Sequence, residues 1–173
     1  MHATAYKDAS RFAKKYVKPP AKILDIGSLN INGCMRPLFT GCHYTGADLS
    51  RGKNVDVVLG KPYEWPELKR DAYDFVVSSQ VIEHVPRPWI WIWEVARVLK
   101  PGGVVYLCSP NTMPFHEYPV DCWRVWPDGM RALIEETGLK VLECYASGRD
   151  TTGIARKPPA TSLPPGPSPA VSP

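Results

Sequence analysis

Apolar residues along the chain fall into short strand-like runs and longer helical patterns that alternate. The strand-like runs are "AKILDIG", "HYTGADL", "VDVVLG", "YDFVVSS" and "GVVYLCS", and Gly, Pro or polar residues bound each of them. Four of these five runs are nearly continuous in apolar residues, which is typical of parallel strands that are covered on both faces of a sheet. The pattern therefore predicts five strands of one mostly parallel sheet.

Three other segments carry apolar residues at helical spacing. They are the N-terminal stretch before Pro19, residues 86–103 ("PRPWIWIWEVARVLKPGG"), and residues 126–138, which stop at Gly138. We expect a further helix after the loop that follows the first strand. A sixth strand is expected after Gly138, and "TTGIARK" is consistent with a short seventh strand.

Alternating strands and helices form βαβ units with right-handed crossovers. The sequence therefore predicts an α/β fold, with a Rossmann-like, doubly wound, mostly parallel sheet in a three-layer α/β/α arrangement and a single domain. We assign this domain to residues 1–156. Residues 157–173, "KPPATSLPPGPSPAVSP", are expected to form a disordered proline-rich tail, because proline lacks an amide donor and few apolar residues remain there.

Composition narrows the range of partners and compartments. The formal charge of +4 is modest and spread along the 173 residues, so nucleic acid is not indicated. The five cysteines are widely spaced without a CxxC pair, which favours reduced thiols over a disulfide framework. No export signal or membrane-length apolar run is found. We therefore expect a cytoplasmic protein that does not bind membranes, and the sequence does not indicate an oligomeric state.

The loops after the strands carry the candidate ligand-binding residues, since ligands of doubly wound sheets bind at the carboxyl ends of the strands. In "DIGSLNING", Gly27 allows a sharp turn, and exposed amides at the following helix start would favour a carboxylate or phosphate. Asp48 ends the second strand twenty-three positions after Asp25, which suits an acid that accepts hydrogen bonds from ribose hydroxyls. Leu29 replaces the second glycine of the GxGxxG fingerprint, which argues against NAD or FAD.

The loop after the fourth strand, "SSQVIEHVPRPW", brings Gln80, Glu83 and His84 to the same edge. Histidine titrates near neutral pH, so His84 is a candidate for moving a proton. Alternatively, Glu83 and His84 only shape the start of the tryptophan-rich helix.

The loop after the fifth strand, "SPNTMPFHEYPVDCWRVWPDG", is long for its position. Long loops at this edge are usually functional, and aromatic walls with a few polar groups suit a small-molecule pocket. Alternatively, Asp121 pairs locally with Arg124 and the aromatic residues only pack. The polar and aromatic candidates are His116, Glu117, Tyr118, Asp121, Trp123 and Arg124.

With these loops assembled, the chain resembles the class I S-adenosylmethionine-dependent methyltransferases, particularly small bacterial type-11-like proteins, over residues 6–157. "ILDIGS" is similar to the first motif of the family, "ADLS" to its ribose-binding motif and "YDFVVSSQVIEHV" to its fourth motif. "RVLKPGGVVYLCSPN" is similar to the region around its fifth strand. "HEYPVDCWRVWPDGMRAL" resembles a block of members associated with sugar or polysaccharide modification.

The resemblance implies S-adenosyl-L-methionine as the cofactor. The cofactor-binding residues that it implies are Asp25, Gly27, Ser28, Asp48, Leu49 and Gln80. The chain departs from the family at Leu29, which replaces a glycine, and at Lys61, which replaces the acid that often meets the adenine amine. These departures favour the alternative of a non-catalytic module that binds the cofactor or its demethylated product. A nicotinamide-dependent oxidoreductase is the least favoured alternative.

We expect O-methylation of a small-molecule or glycan acceptor, for which a base must remove the hydroxyl proton. The candidate bases are His116 and His84, and the residues expected to position the acceptor are Tyr118, Asp121, Trp123 and Arg124. Some small-RNA 2′-hydroxyl methyltransferases bind a divalent metal through a Glu-x-x-Glu-His set and a later His. Gln80, Glu83, His84 and His116 are similar to that set, but Gln80 is a poorer ligand than glutamate, so no metal is assigned.

Overall fold

The computed structural model describes residues 3–159, and within them it contains seven strands and three α-helices. The strands are β1 (Lys22–Ile26), β2 (His43–Asp48), β3 (Val57–Val58), β4 (Tyr73–Ser79), β5 (Leu99–Pro110), β6 (Lys140–Ser147) and β7 (Asp150–Arg156). The α-helices are α1 (Ala3–Tyr16), α2 (Pro88–Val98) and α3 (Pro127–Glu135), and two short 3₁₀ helices cover Arg36–Phe39 and Ile82–His84.

The seven strands form one sheet in the order β3-β2-β1-β4-β5-β7-β6. Neighbouring strands from β3 to β5 pair in parallel, whereas β7 pairs antiparallel with both β5 and β6. The predicted doubly wound, mostly parallel sheet is thus confirmed. The seventh strand lies inside the sheet, not at its edge.

Helices cover both faces of the sheet and produce three layers. On one face, α1 packs Ala5, Ala9 and Phe12 against strand residues that include Val77 and Tyr106. The rings of Phe12 and Tyr106 have centroids 5.1 Å apart. On the other face, α2 and α3 bury an apolar cluster that includes Leu24, Val76, Ile92, Val105 and Met130. This core holds the strand ends, and therefore the loops after them, in fixed positions.

The helix expected after the first loop is reduced to one short 3₁₀ helix in the described structure. Residues 27–35 form an extended loop that leads only to the 3₁₀ helix Arg36–Phe39. Gly33 adopts a φ of +110°, which a right-handed helix does not contain. The third strand is likewise limited to Val57–Val58, shorter than the predicted run.

The C-terminal end of the described chain belongs to the folded body. Lys157, which the sequence analysis places at the start of the tail, is only 5% exposed. Its ammonium group donates to Asp71, to the Ala96 carbonyl and to the Leu99 carbonyl at 2.7–2.8 Å. The domain boundary therefore lies beyond residue 156, and the predicted tail from residue 160 onward lies outside the described residues.

The described residues also bear on two expectations from composition. All five cysteines lie among residues 3–159 and are free thiols. No helix within the same residues has the length and apolar character needed to cross a membrane.

Candidate active site

The ends of β1 and β2 lie side by side, as the sequence analysis predicts. Asp25 pairs with Gly46 and Ile26 pairs with Ala47 in the parallel register. Asp48 therefore reaches the level of the loop after β1, where its Oδ2 accepts a hydrogen bond of 3.0 Å from the Leu29 amide.

Gly27 occupies a position where any larger residue would displace the Val81 side chain. It has a φ of +77°, and a Cβ atom built on it would lie 2.1 Å from Cγ2 of Val81 in the loop after β4. Glycine thus permits both the left-handed turn and the close approach of the two loops.

The amides of the first loop are already bound within the protein. Those of Gly27 and Ser28 donate to the Ala47 carbonyl at 2.9 and 3.1 Å, and the Asn30 amide donates to Lys53. Ser28 is buried, and its carbonyl accepts a bond from the Asn54 side chain. The amides of Gly27, Ser28 and Asn30 are therefore not free to bind an anion, and Ser28 tethers the loop.

Asp25 is 3% exposed and keeps one oxygen unsatisfied. The Tyr44 hydroxyl donates to Oδ2, while Oδ1 is buried without a partner. Burial raises the pKa of the Asp25 carboxyl to about 7; the Tyr44 bond lowers it and the nearby Asp48 charge raises it. Oδ1 is thus a buried acceptor that a positively charged donor would satisfy.

The other predicted cofactor residues differ in position. Oδ1 of Asp48 accepts the Ser50 amide at 2.9 Å, but a carboxylate has about four acceptor sites and retains capacity for a diol. Leu49 beside it is 53% exposed. The side-chain amide of Gln80 donates to Asp150 of β7 at 3.0 Å, so it faces a different neighbour from Asp25 and Asp48.

The two candidate bases meet although they come from different loops. His84 ends the 3₁₀ helix after β4, His116 lies in the loop after β5, and their ring centroids are 5.2 Å apart. Nδ1 of His84 lies 2.6 Å from the Val120 carbonyl, and Nδ1 of His116 lies 3.0 Å from the Pro114 carbonyl. Because a carbonyl only accepts, each Nδ1 is the donor in these contacts, which leaves Nε2 as the nitrogen that can offer a lone pair.

Glu83, which the sequence does not assign to the site, lies directly beside these histidines. Its side chain is fully buried; Oε2 accepts the Ser109 hydroxyl at 3.1 Å, whereas Oε1 has no partner. Oε1 lies 3.7 Å from Nε2 of His84. Burial raises the pKa of this carboxyl to about 8. The available signal was the Glu-His pair at a strand end, but the sequence does not reveal that the acid is buried.

Asp121 and Arg124 hold the loop between β5 and α3. Two guanidinium nitrogens of Arg124 donate to the two Asp121 oxygens at 2.6 Å each, and this pair lowers the pKa of Asp121. Arg124 also donates to the Met113 carbonyl, and Asp121 accepts the His116 amide at 2.7 Å. The local pairing that the sequence left as an alternative is thus formed, and both residues hold the loop in place.

Tyr118 and Trp123, with Trp89, form an aromatic rim next to the histidines. Tyr118 is 56% exposed, and its ring lies 6.4 Å from that of His84. The Trp123 indole donates to the Val85 carbonyl at 2.9 Å and meets Trp89 edge-on at 6.0 Å. All three rim residues are exposed, and Tyr118 is the one that contacts a candidate base.

A family model described as "Methyltransferase domain" matches residues 2–143. The chain belongs to this methyltransferase family. The nicotinamide-dependent alternative is therefore not supported.

Curated relatives of this methyltransferase align over part of its length. The ubiquinone biosynthesis O-methyltransferase of Photobacterium profundum is 30% identical over 103 residues, which are 52% of this chain and 44% of that protein. An uncharacterized methyltransferase of Mycobacterium tuberculosis is 57% identical over 37 residues, which are 21% of this chain and 15% of that protein. The chain thus spans less than half the length of these relatives.

Solved structures show the same fold at low sequence identity. A chain from the complex between a Haloferax volcanii methyltransferase activator and a methyltransferase gives a TM-score of 0.72 at 18% identity, covering 92% of this chain and 90% of that one. A SAM-dependent methyltransferase from Aquifex aeolicus gives 0.66 at 17% identity, covering 86% and 89%.

S-adenosylmethionine is the cosubstrate that the methyltransferase family and fold support. One observation in particular shows that the residues of this chain suit S-adenosylmethionine. The buried, unpartnered Oδ1 of Asp25 suits the ammonium group of the methionine end. Asp48, on the adjacent strand, suits the ribose hydroxyls.

Proposed function

We propose that this methyltransferase transfers the methyl group of S-adenosylmethionine to a hydroxyl oxygen of a small-molecule or glycan acceptor. The observation that carries the proposal is the pair of histidines at the carboxyl edge of the sheet, each with its Nδ1 proton bound to a carbonyl. Each ring therefore presents Nε2 as the atom that can accept a proton.

Methyl transfer requires few further groups from the protein. S-adenosylmethionine, when bound, supplies an activated methyl group, so the chain must align the acceptor for in-line attack and take its proton. His116 is the better placed base, because its side chain is 42% exposed whereas that of His84 is 16% exposed. His84 packs against it and restricts its orientation.

The aromatic rim supports a ring-shaped acceptor. Exposed faces of Tyr118 and Trp123 suit the apolar faces of sugar or aromatic rings. Transfer to oxygen is further supported by the relative from Photobacterium profundum, which is named as an O-methyltransferase. Glycans and small phenols are therefore the acceptors to compare.

The test separates cofactor binding from chemistry. Asp48→Ala should weaken S-adenosylmethionine binding at least about tenfold, since it removes the acid expected to hold the ribose. His116→Ala should keep the affinity within about twofold but lower kcat at least about 100-fold, which is typical for loss of a general base. Calorimetry gives the affinities, and release of S-adenosylhomocysteine with methyl glycosides, catechols and primary amines gives the rates.

Glu136→Gln is the control, because Glu136 is an exposed acid directly after α3 and is not one of the candidate pocket residues. This substitution should change neither the affinity for S-adenosylmethionine nor kcat. Turnover of the amines alone would contradict transfer to oxygen. Tight binding without turnover of any acceptor would support the non-catalytic alternative, and unchanged affinity in Asp48→Ala would contradict the cofactor assignment.

A further inference from the structure

Three potential metal ligands converge where the loops after β4 and β5 meet. Glu83, His84 and His116 each offer one ligand atom, and these atoms all lie within 4.8 Å of one another. We propose that Glu83 Oε1, His84 Nε2 and His116 Nε2 bind one divalent transition-metal ion of the zinc or cobalt type. Imidazole nitrogen with a carboxylate oxygen is a donor set that suits such ions.

The orientation of both imidazoles fits this role. The Nδ1 atoms of His84 and His116 are bound to the carbonyls of Val120 and Pro114. Metal-binding histidines usually donate their other ring N–H to a carbonyl or carboxylate, which fixes the tautomer and the direction of the lone pair. Here both lone pairs are fixed on Nε2 before any ion arrives.

The carboxyl of Glu83 supplies an independent observation. Oε1 is buried and has no hydrogen-bond partner, while Oε2 is held by Ser109. A buried polar oxygen without a partner is unfavourable, and a cation at this place would remove the penalty. The oxygen lies next to Nε2 of His84, at 3.7 Å, so it points into the cluster.

Binding requires only a small contraction of the cluster. Metal–ligand bonds of 2.0–2.2 Å in a tetrahedral site place ligand atoms about 3.3 Å apart. One ligand atom of each residue already lies within 4.8 Å of the others, so the loops need to approach by at most about 1.5 Å. His116 lies on the exposed loop and can make this movement, whereas Glu83 and His84 belong to the 3₁₀ helix after β4.

Three protein ligands leave at least one position open for a substrate group. The use of that position rests on the proposed function: a hydroxyl acceptor bound there has a lowered pKa. Its O–H bond breaks, the proton passes to solvent, and the oxygen bonds the methyl carbon as the carbon–sulfur bond breaks. The products are the methyl ether and S-adenosylhomocysteine. In the metal-loaded protein His84 and His116 hold the ion and solvent takes the proton. In the metal-free protein Nε2 of His116 is the base of the proposed function.

The test is a titration of chelator-treated protein with Co²⁺, without S-adenosylmethionine, followed by visible absorption and calorimetry. The wild type should bind one ion per chain with the absorption bands of a nitrogen- and oxygen-ligated cobalt site. His116→Ala and Glu83→Gln should each weaken binding more than about tenfold. His43→Ala and Glu136→Gln, which remove an exposed histidine and an exposed acid outside the cluster, should bind as the wild type does.

Equal affinity in the wild type and His116→Ala, or less than stoichiometric binding by the wild type, would overturn the proposal. If Glu83→Gln does not fold, the affinity of His116→Ala for Co²⁺ tests the proposal alone. The exposed side chain of His116 is not part of the core, so this variant is expected to fold. S-adenosylmethionine binding by the chelated wild type is measured separately. The proposed metal site and the S-adenosylmethionine assignment are therefore tested independently, and either can be contradicted without the other.

Discussion

At the scale of single residues, Asp25 is a buried acid with a second acid close by. Its pKa is about 7 in the folded protein, against 3.8 for an unperturbed side chain. Between these values the folded chain holds a proton that the unfolded chain releases, so the free energy of unfolding falls as the pH rises from about 4 to about 7. The loss amounts to roughly 4 kcal/mol and is complete above pH 7.

Asp25→Asn removes this titration. Urea unfolding without cofactor gives the free energy of unfolding at pH 4.5 and at pH 8. The decrease in this free energy from pH 4.5 to pH 8 should be roughly 2–4 kcal/mol smaller in the variant than in the wild type. Glu136→Gln, at an exposed position, should show the same decrease as the wild type. Equal decreases in all three proteins would mean that Asp25 is ionised throughout this range.

The sequence predicted some of these residues well, and the reason is geometric. Asp25 and Asp48 end consecutive parallel strands, so their proximity follows from the strand pattern alone. The spacing of Asp121 and Arg124 was equally compatible with binding an acceptor and with pairing to each other. The burial of Glu83 depends on Ser109 and on the loop after β5, which are distant in sequence and leave no local signal.

At the scale of elements, the contact between α3 and β7 is close enough to require a glycine. A Cβ atom on Gly153 would lie 2.7 Å from both Ile134 Cδ1 and Met130 Cγ. Gly153→Ala should therefore displace α3 and lower the free energy of unfolding by about 1–3 kcal/mol.

Gly129, within α3, is the matched control with the opposite expected sign. The nearest atom to its Cβ position is Val125 Cγ1 at 3.9 Å, which is ordinary contact. Gly129→Ala should raise the free energy of unfolding by about 0.5–1 kcal/mol, because alanine restricts the unfolded chain and favours the helix. Urea denaturation of Gly153→Ala and Gly129→Ala measures both changes in the free energy of unfolding. A stabilising Gly153→Ala would show that the helix moves away without cost.

Two elements were harder to predict than the rest. β7 is buried over Asp150–Ala155, yet its polar start with Thr151 and Thr152 gives a weak strand signal. After β1, apolar residues such as Ile31 and Leu38 suggest a helix. Gly33 and the packing of the loop against Asn54 and Asp48 instead keep the backbone extended. Contacts that are distant in sequence decide both cases.

At the scale of the whole molecule, two lysine–aspartate pairs of similar length differ in burial. The Lys157 side chain is 6% exposed and pairs with Asp71 at 2.7 Å, whereas the Lys100 side chain is 37% exposed and pairs with Asp74 at 2.6 Å. Lys157→Met should cost roughly 2–3 kcal/mol, because it also leaves the carbonyls of Ala96 and Leu99 without this donor.

Lys100→Met should cost less than about 1 kcal/mol, since solvent screens an exposed pair. Thermal and urea unfolding of the two variants provide the comparison. Similar losses would contradict the idea that Lys157 fastens the end of β7 to the rest of the domain.

The position of β7 has a consequence for biosynthesis. In the described sheet β6 bonds only to β7, and β7 lies between β5 and β6. Until β7 has left the ribosomal exit tunnel, the β5 edge of the nascent chain has no partner strand. Such an edge can pair with another chain, so this stage of synthesis favours aggregation.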